Sequence, residues 1–168
     1  MKITLKPMTI ELCHAFYKEF VLDLSLFKDP SQYKPYIYSE TDCNAYYERH
    51  QRLGRIHLAV MLQDAPIGEI VLKNIDPERR CCTMGITMIH DNVKGKGYGT
   101  AAEMLTLKYA FEQLGMDTVY ADSLMGNHRS QHVLKKVGFT EISRDDTFVY
   151  YSCEKAAWNG LSDQNLSS

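Results

Sequence analysis

The chain has no CxxC pair, no acidic run and no internal repeat, and no apolar stretch approaches the ~20 residues of a membrane span. Its formal net charge of −2 supplies no global basic field, which argues against nucleic acid as a partner and makes any cationic site local. Five cysteines are an odd number, and Cys81 and Cys82 are adjacent, so a complete disulfide framework is excluded. Reduced, structural thiols in a cytoplasmic protein are the expectation. The opening Met1-Lys2-Ile3-Thr4-Leu5-Lys6 alternates and is too short to read as a signal peptide, and no membrane partner is expected. His128 and His132 lie four apart, but no third ligand or HExxH context accompanies them, so no metal is expected.

What remains is an ordinary globular composition, 45% hydrophobic and 24% charged, in a chain long enough for one core. One domain is expected over residues 1–155, followed by a polar tail over 156–168 in which Trp158 could serve as an anchor. Ile3 and Leu5 alternate as a first strand, and Thr9 caps a helix carrying Leu12, Ala15, Phe16 and Phe20. Residues 23–38 are irregular and aromatic-rich, with Phe27, Tyr33, Tyr36 and Tyr38. Ser39 or Thr41 caps a second helix to Leu53. Strands follow over 56–62 and 67–73, joined by a turn at Gln63-Asp64-Ala65-Pro66, then over 81–89. A helix with Met104, Leu105, Leu107, Lys108, Phe111 and Leu114 at helical spacing precedes a strand over 118–122. Gly126-Asn127 opens a last helix that Gly138 stops, and a hairpin over 139–154 closes the domain. The order reads as an α+β, or mixed α/β, fold.

The most informative stretch is Lys94-Gly95-Lys96-Gly97-Tyr98-Gly99-Thr100, a basic glycine loop running into a helix. Alternate glycines leave the backbone N–H groups unshielded, and a helix N-terminus favours an anion through its unpaired donors and dipole. A Walker loop is excluded, because that motif closes on Gly-Lys-Ser/Thr and no lysine stands between Gly99 and Thr100. A dinucleotide fingerprint fits Gly97-x-Gly99-x-x-Ala102 with Asp122 ending the next strand. Against it, the glycines follow the polar connector His90-Asp91-Asn92-Val93, and too few residues follow Asp122 to complete that fold.

Lys94-x-x-Gly97-x-Gly99 resembles the Arg/Gln-x-x-Gly-x-Gly/Ala signature of the GNAT superfamily of N-acetyltransferases. A second block, Asn127-x-x-Ser130 followed by Gly138-Phe139, is similar to the family's Asn-x-x-Ala/Ser…Gly-Phe at its usual spacing. The resemblance covers roughly residues 56–154, and its nearest branches look like ribosomal-protein N-terminal and small-amine acetyltransferases. It implies a central mixed, mostly antiparallel sheet flanked by helices, and acetyl transfer from acetyl-CoA to a primary amine by direct attack in a ternary complex. The acceptor would be a small molecule or a peptide, and a homodimer would be common for the family.

On that resemblance the pyrophosphate falls to the backbone of Gly95, Gly97, Tyr98, Gly99 and Thr100, with charge from Lys94 and Lys96. The end of the preceding strand, Met88 and Ile89, would face the pantetheine arm, with Ile89 the expected donor of an N–H toward the thioester. Asn127 and Ser130 would flank the arm. Asp122, five residues before Asn127, is the first base candidate and acts through water, with Glu69 as the second. The family's general-acid Tyr falls at Leu134, and its acidic residue two before the strand glycine falls at Thr83. Another group such as Tyr98, Tyr150 or Tyr151 could replace the acid, or the thiolate leaves unaided. These departures motivate the alternative of a non-catalytic acyl-CoA-binding domain on the same fold.

Overall fold

The computed structural model describes residues 2–27 and 29–158, so most of the polar tail expected from 156 onward lies outside the described residues. Seven strands form one sheet: β1 (Ile3–Pro7), β2 (Ile56–Leu62), β3 (Ala65–Asp76), β4 (Cys81–Met88), β5 (Thr118–Leu124), β6 (Thr140–Arg144) and β7 (Phe148–Glu154). Their spatial order is β1-β2-β3-β4-β5-β7-β6, antiparallel except where β4 meets β5. Among the described residues four α-helices complete the domain: α1 (Ile10–Glu19), α2 (Glu40–Arg52), α3 (Tyr98–Glu112) and α4 (His128–Val137).

The expected helix caps are in place. Thr9 accepts the N–H of Leu12 and Ser39 that of Asp42, while Gly138 leaves α4 at φ +113°, a left-handed position that glycine enters without strain. The hairpin between β2 and β3 is tighter than the sequence suggests. Its turn is Gln63-Asp64 alone, and β3 starts at Ala65. A bulge between Val60 and Met61 then shifts the register so that Ala59, rather than Leu58, lies opposite Glu69.

Alternation along β2 sorts the two faces. Ala59 and Met61 pack with Met8, Cys13 and Cys43 under α1 and α2. Leu58, Val60, Ile70 and Leu72 belong to the larger core on the side of α3 and α4. The irregular aromatics dock on α1, Tyr36 against Tyr17 and Phe20 at 5.6 and 5.3 Å. Trp158, in a helical turn over 155–158, is buried against Phe111 at 5.4 Å.

Helix α3 departs from its expected stripe. Its buried side is Ala102, Glu103, Thr106, Leu107, Ala110 and Phe111, whereas Met104 and Leu105 are 38% and 37% exposed. Small residues let this helix approach the sheet closely, and a carboxyl is carried inside with them.

The parallel pairing of β4 and β5 runs from Cys81–Thr118 to Met84–Ala121 and stops. Beyond it β4 continues to Met88 and β5 to Leu124, so the two strands open a wedge in mid-sheet. This wedge positions the site.

Candidate active site

Two cavities meet at the wedge. The first, about 630 Å³, runs from the glycine loop and the start of α3 along the end of β4 to α4. The second, about 370 Å³, lies between α2 and the open part of the sheet over β3, β4 and β5. Tyr46, Glu69, Ile86, Thr87 and Ser130 line both.

In the first cavity Gly97 holds φ +80° and caps α3 with its carbonyl alone, accepting from Ala101 at 2.9 Å. Among the described residues no side chain caps this end, so the N–H groups of Tyr98, Gly99 and Thr100 have no intrahelical acceptor and suit an anion. Gly95, Gly97, Gly99 and Thr100 line the cavity, while Lys96 is exposed and, like Tyr98, is outside the lining. Lys94 lines it too but is committed. Its ammonium bonds Asp23 at 2.7 Å and Asp91 at 2.9 Å, and Arg129 reaches Asp91 at 3.4 Å. The lysine expected to meet phosphate ties the loop to the N-terminal segment instead.

The strand end also corrects an expectation. The N–H of Ile89 donates to the carbonyl of Ile67 at 2.9 Å, so it is not aimed at the wedge, and Ile89 does not line either cavity. Alternation then turns the amide of Met88 away from β3, toward the side β5 has left, and Met88 lines the first cavity. Asn127 and Ser130 line it as well, but the Asn127 side-chain oxygen is occupied by the Ser130 N–H at 3.1 Å as the cap of α4.

Glu69 stands at the junction and is 3% exposed. Its Oε1 accepts the hydroxyls of Tyr17 at 2.6 Å and Tyr46 at 2.9 Å, and its Oε2 accepts from Nε2 of His57 at 2.7 Å. Burial, then the charge of Glu69, pushes both tyrosine hydroxyls far above their ordinary range, so they stay protonated donors. The His50 ring lies 4.6 Å from that of His57, tilted by 52°, and burial together with that neighbour lowers its pKa to about 4. Sequence spacing gave no sign of this cluster, since α1, α2, β2 and β3 each contribute one member. Only the hairpin register, bulge included, could have placed His57 near Glu69.

Asp122 is exposed and lines the second cavity alone, beside Gly85, where an added Cβ would meet no atom within 4 Å. Arg55 and Lys73 line the same cavity. Leu134, where the family signature has tyrosine, is buried against it and brings no hydroxyl. Tyr98, Tyr150 and Tyr151 line neither cavity, and the Tyr150 hydroxyl is spent on Asp145 at 2.8 Å. Among the described residues, Tyr17 and Tyr46 are the tyrosines that line the cavities. Glu103, also in the first cavity's wall, has a buried Oε2 with no partner, and desolvation raises its pKa to about 8. Among the described residues no three His, Cys, Asp or Glu side chains gather as a metal site, and no helix is long and apolar enough to cross a membrane.

The model of the acetyltransferase (GNAT) domain family matches residues 2–140 of this chain. Among curated proteins, YdaF of Bacillus subtilis (strain 168), assigned as a ribosomal N-acetyltransferase, is 31% identical over 133 residues, which is 73% of this chain and 72% of YdaF. A solved chimera of the spermidine N-acetyltransferase SpeG from Vibrio cholerae and hSSAT superposes with a TM-score of 0.76 at 16% identity, covering 95% of this chain and 99% of the other. An acetyltransferase structure from T. thermophilus gives 0.76 at 23% identity, covering 98% and 92%.

Proposed function

The chain belongs to the GNAT acetyltransferase family and is an acetyltransferase, and from that premise we propose that it moves the acetyl group of acetyl-CoA to a primary amine by direct attack in a ternary complex. The observation that carries the reading is the meeting of two cavities at the β4–β5 wedge, one walled by an uncapped helix N-terminus and the other by polar side chains.

In this reading the first cavity takes the donor. The free first-turn amides of α3 and the backbone of the glycine loop hold the pyrophosphate. The Met88 amide, not that of Ile89, faces the pantetheine arm, with Asn127 and Ser130 on its other side. Lys94 shapes the loop through Asp23 and Asp91, while Lys96 and Arg129 add charge at the rim. The amine enters from the second cavity, its nitrogen attacks the thioester carbonyl, the C–S bond breaks, and the proton that the acylated nitrogen sheds passes to the departing sulfur, so CoA leaves as the thiol.

The amine must shed a proton before attack. Asp122, exposed to the acceptor cavity, takes it through water. Glu69 is the second reading for the base, favoured because it is the carboxylate that lines both cavities.

The test is two-part. Saturating acetyl-CoA is expected to raise Tm, and a library of amines is expected to include acceptors that release free CoA. Asp122→Asn should lower turnover by about 10²-fold or more if Asp122 is the base. Absence of stabilisation by acetyl-CoA in a folded sample sinks the donor assignment. Full activity in Asp122→Asn with loss in Glu69→Gln transfers the base to Glu69.

A further inference from the structure

The acceptor cavity is electrically graded along β3. Glu69, Val71 and Lys73 alternate onto one face of the strand and all line the cavity. Four residue steps along the strand separate the Cα atoms of Glu69 and Lys73 by about 13 Å. Arg55 directly precedes β2, whose Ile56 lies opposite Leu72, so Arg55 falls beside Lys73 at the end remote from the wedge.

The two ends differ in what is already satisfied. At the wedge, Glu69 receives three donors from the protein and is buried. At the outer end, Arg55 and Lys73 are half-buried and make no ion pair with a carboxylate among the described residues. Arg55 donates from Nη1 to Nδ1 of His50 at 3.4 Å, which orients the guanidinium without neutralising it, since His50 is held uncharged. Asp122 sits beside Gly85 near mid-strand and is the one exposed carboxylate in the lining. A polyamine would need anionic groups at both ends of its path, and here the far end presents two cations.

Resting on the acetyltransferase reading above, we infer that the acceptor is a small primary amine carrying a carboxylate or phosphate several bonds from the reacting nitrogen, with Arg55 and Lys73 holding that anion. The amine end then lies by Glu69 and Asp122 at the wedge. A planar guanidinium and a mobile ammonium together suit either anion, the first through a paired fork and the second as a point charge. Long polycations and uncharged alkylamines leave both cations unmatched against the bound molecule.

The experiment uses the full chain and acceptors matched in length: hexylamine, ε-aminocaproate, aminohexyl phosphate and hexamethylenediamine, with spermidine and a short neutral peptide as further arms. Acetyl-CoA affinity is measured first by calorimetry, and kcat/KM for each acceptor is then read from CoA release. The expected result is a preference of about tenfold or more for ε-aminocaproate or aminohexyl phosphate over hexylamine. The two anionic arms separate carboxylate from phosphate recognition. Arg55→Gln and Lys73→Met should each collapse the anionic-to-neutral ratio by a factor of several, chiefly through KM, and Lys73→Glu should turn the preference toward hexamethylenediamine. Bound acetyl-CoA with hexylamine, spermidine or the peptide as the preferred acceptor overturns this inference alone. So does an unchanged ratio in Lys73→Glu that remains folded by circular dichroism. No acetyl-CoA binding by the folded protein overturns the acetyltransferase reading and the inference together.

Discussion

The two cavities share a wall and are built from different materials. The side proposed for the donor presents its anion site as backbone: a loop with glycines at φ +75° and +80°, a helix end without a side-chain cap, and a strand edge left unpaired by its neighbour. The side proposed for the acceptor is built largely from side chains, contributed by α2, β3, β4, β5 and α4 and by Arg55 just before β2. Backbone recognition suits a phosphate such as that of the proposed donor, because it depends on local geometry. Side-chain recognition suits a partner that differs between members, since each residue can change without rebuilding the loop.

The largest test of that division is at Glu69. Glu69→Ala leaves two tyrosine hydroxyls and the His57 Nε2 without their acceptor in a buried place. Stability should fall by about 3 kcal/mol or more, or roughly 6–12 °C in Tm. Turnover in the milder Glu69→Gln should drop by about 10²–10⁴-fold if Glu69 is the base, and by far less if Asp122 is. Acetyl-CoA affinity, measured on the same Glu69→Gln protein, should move by less than about threefold. A loss of donor affinity as large as the loss of turnover would erase the distinction between the two sides.

Glu103 is the exception that sharpens the comparison, a side chain buried in the donor wall. Its carboxyl has one oxygen without a partner, and desolvation lifts its pKa from 4.5 to about 8. The folded protein therefore binds this proton more tightly than the unfolded chain does. The favourable contribution is complete below about pH 4.5 and is lost as pH rises through about 8. Across that window the carboxyl should cost up to about 5 kcal/mol of stability. Glu103→Gln should flatten the dependence of Tm on pH between those limits, and Glu103→Leu should raise Tm most at the alkaline end. An unaltered Tm profile in Glu103→Gln would mean that the carboxyl is ionised at neutral pH.

Legibility followed the same division. The glycine-led start of α3, the caps of α1, α2 and α4 at Thr9, Ser39 and Asn127, and the order of elements along the chain were readable, because each rests on local chemistry over a few residues. The Ile89 donor was misread because the direction of one amide depends on which neighbour a strand keeps, here β3 through Ile67. The pairing of Lys94 with Asp23 was not legible because the two lie 71 residues apart. Glu103 escaped because Met104 and Leu105 gave the better apolar pattern, while the side of α3 that is buried carries Ala102, Glu103, Thr106 and Ala110. The Glu69 cluster needed a hairpin register that a one-residue bulge had shifted.

A backbone site should be most sensitive where the backbone is least ordinary. Gly97 adopts φ +80°, which a β-branched residue enters only with strain, at the point where the first-turn amides of α3 are set. Gly97→Val should weaken acetyl-CoA by about 10²-fold, roughly 2.7 kcal/mol. Gly97→Asn, better tolerated in the left-handed region, should recover much of the loss. Equal affinity in both variants and the parent would remove the loop from the donor site.

The smallest effects belong to the charged side chains at the donor rim. Lys96 and Arg129 are both exposed, and Arg129 is already shared with Asp91. An exposed cation near a phosphate contributes about 0.3–1 kcal/mol in dilute salt, so Lys96→Ala or Arg129→Ala should weaken acetyl-CoA by only about two- to fivefold. Raising the salt from 0.05 to about 0.5 M should shrink that difference toward nothing, because the Debye length falls below the separation of such groups. The deficit of Gly97→Val should survive the same change, since it arises from backbone geometry and not from long-range charge. A rim substitution that costs as much as Gly97→Val, and keeps its cost in high salt, would make the donor groove a side-chain site like its neighbour.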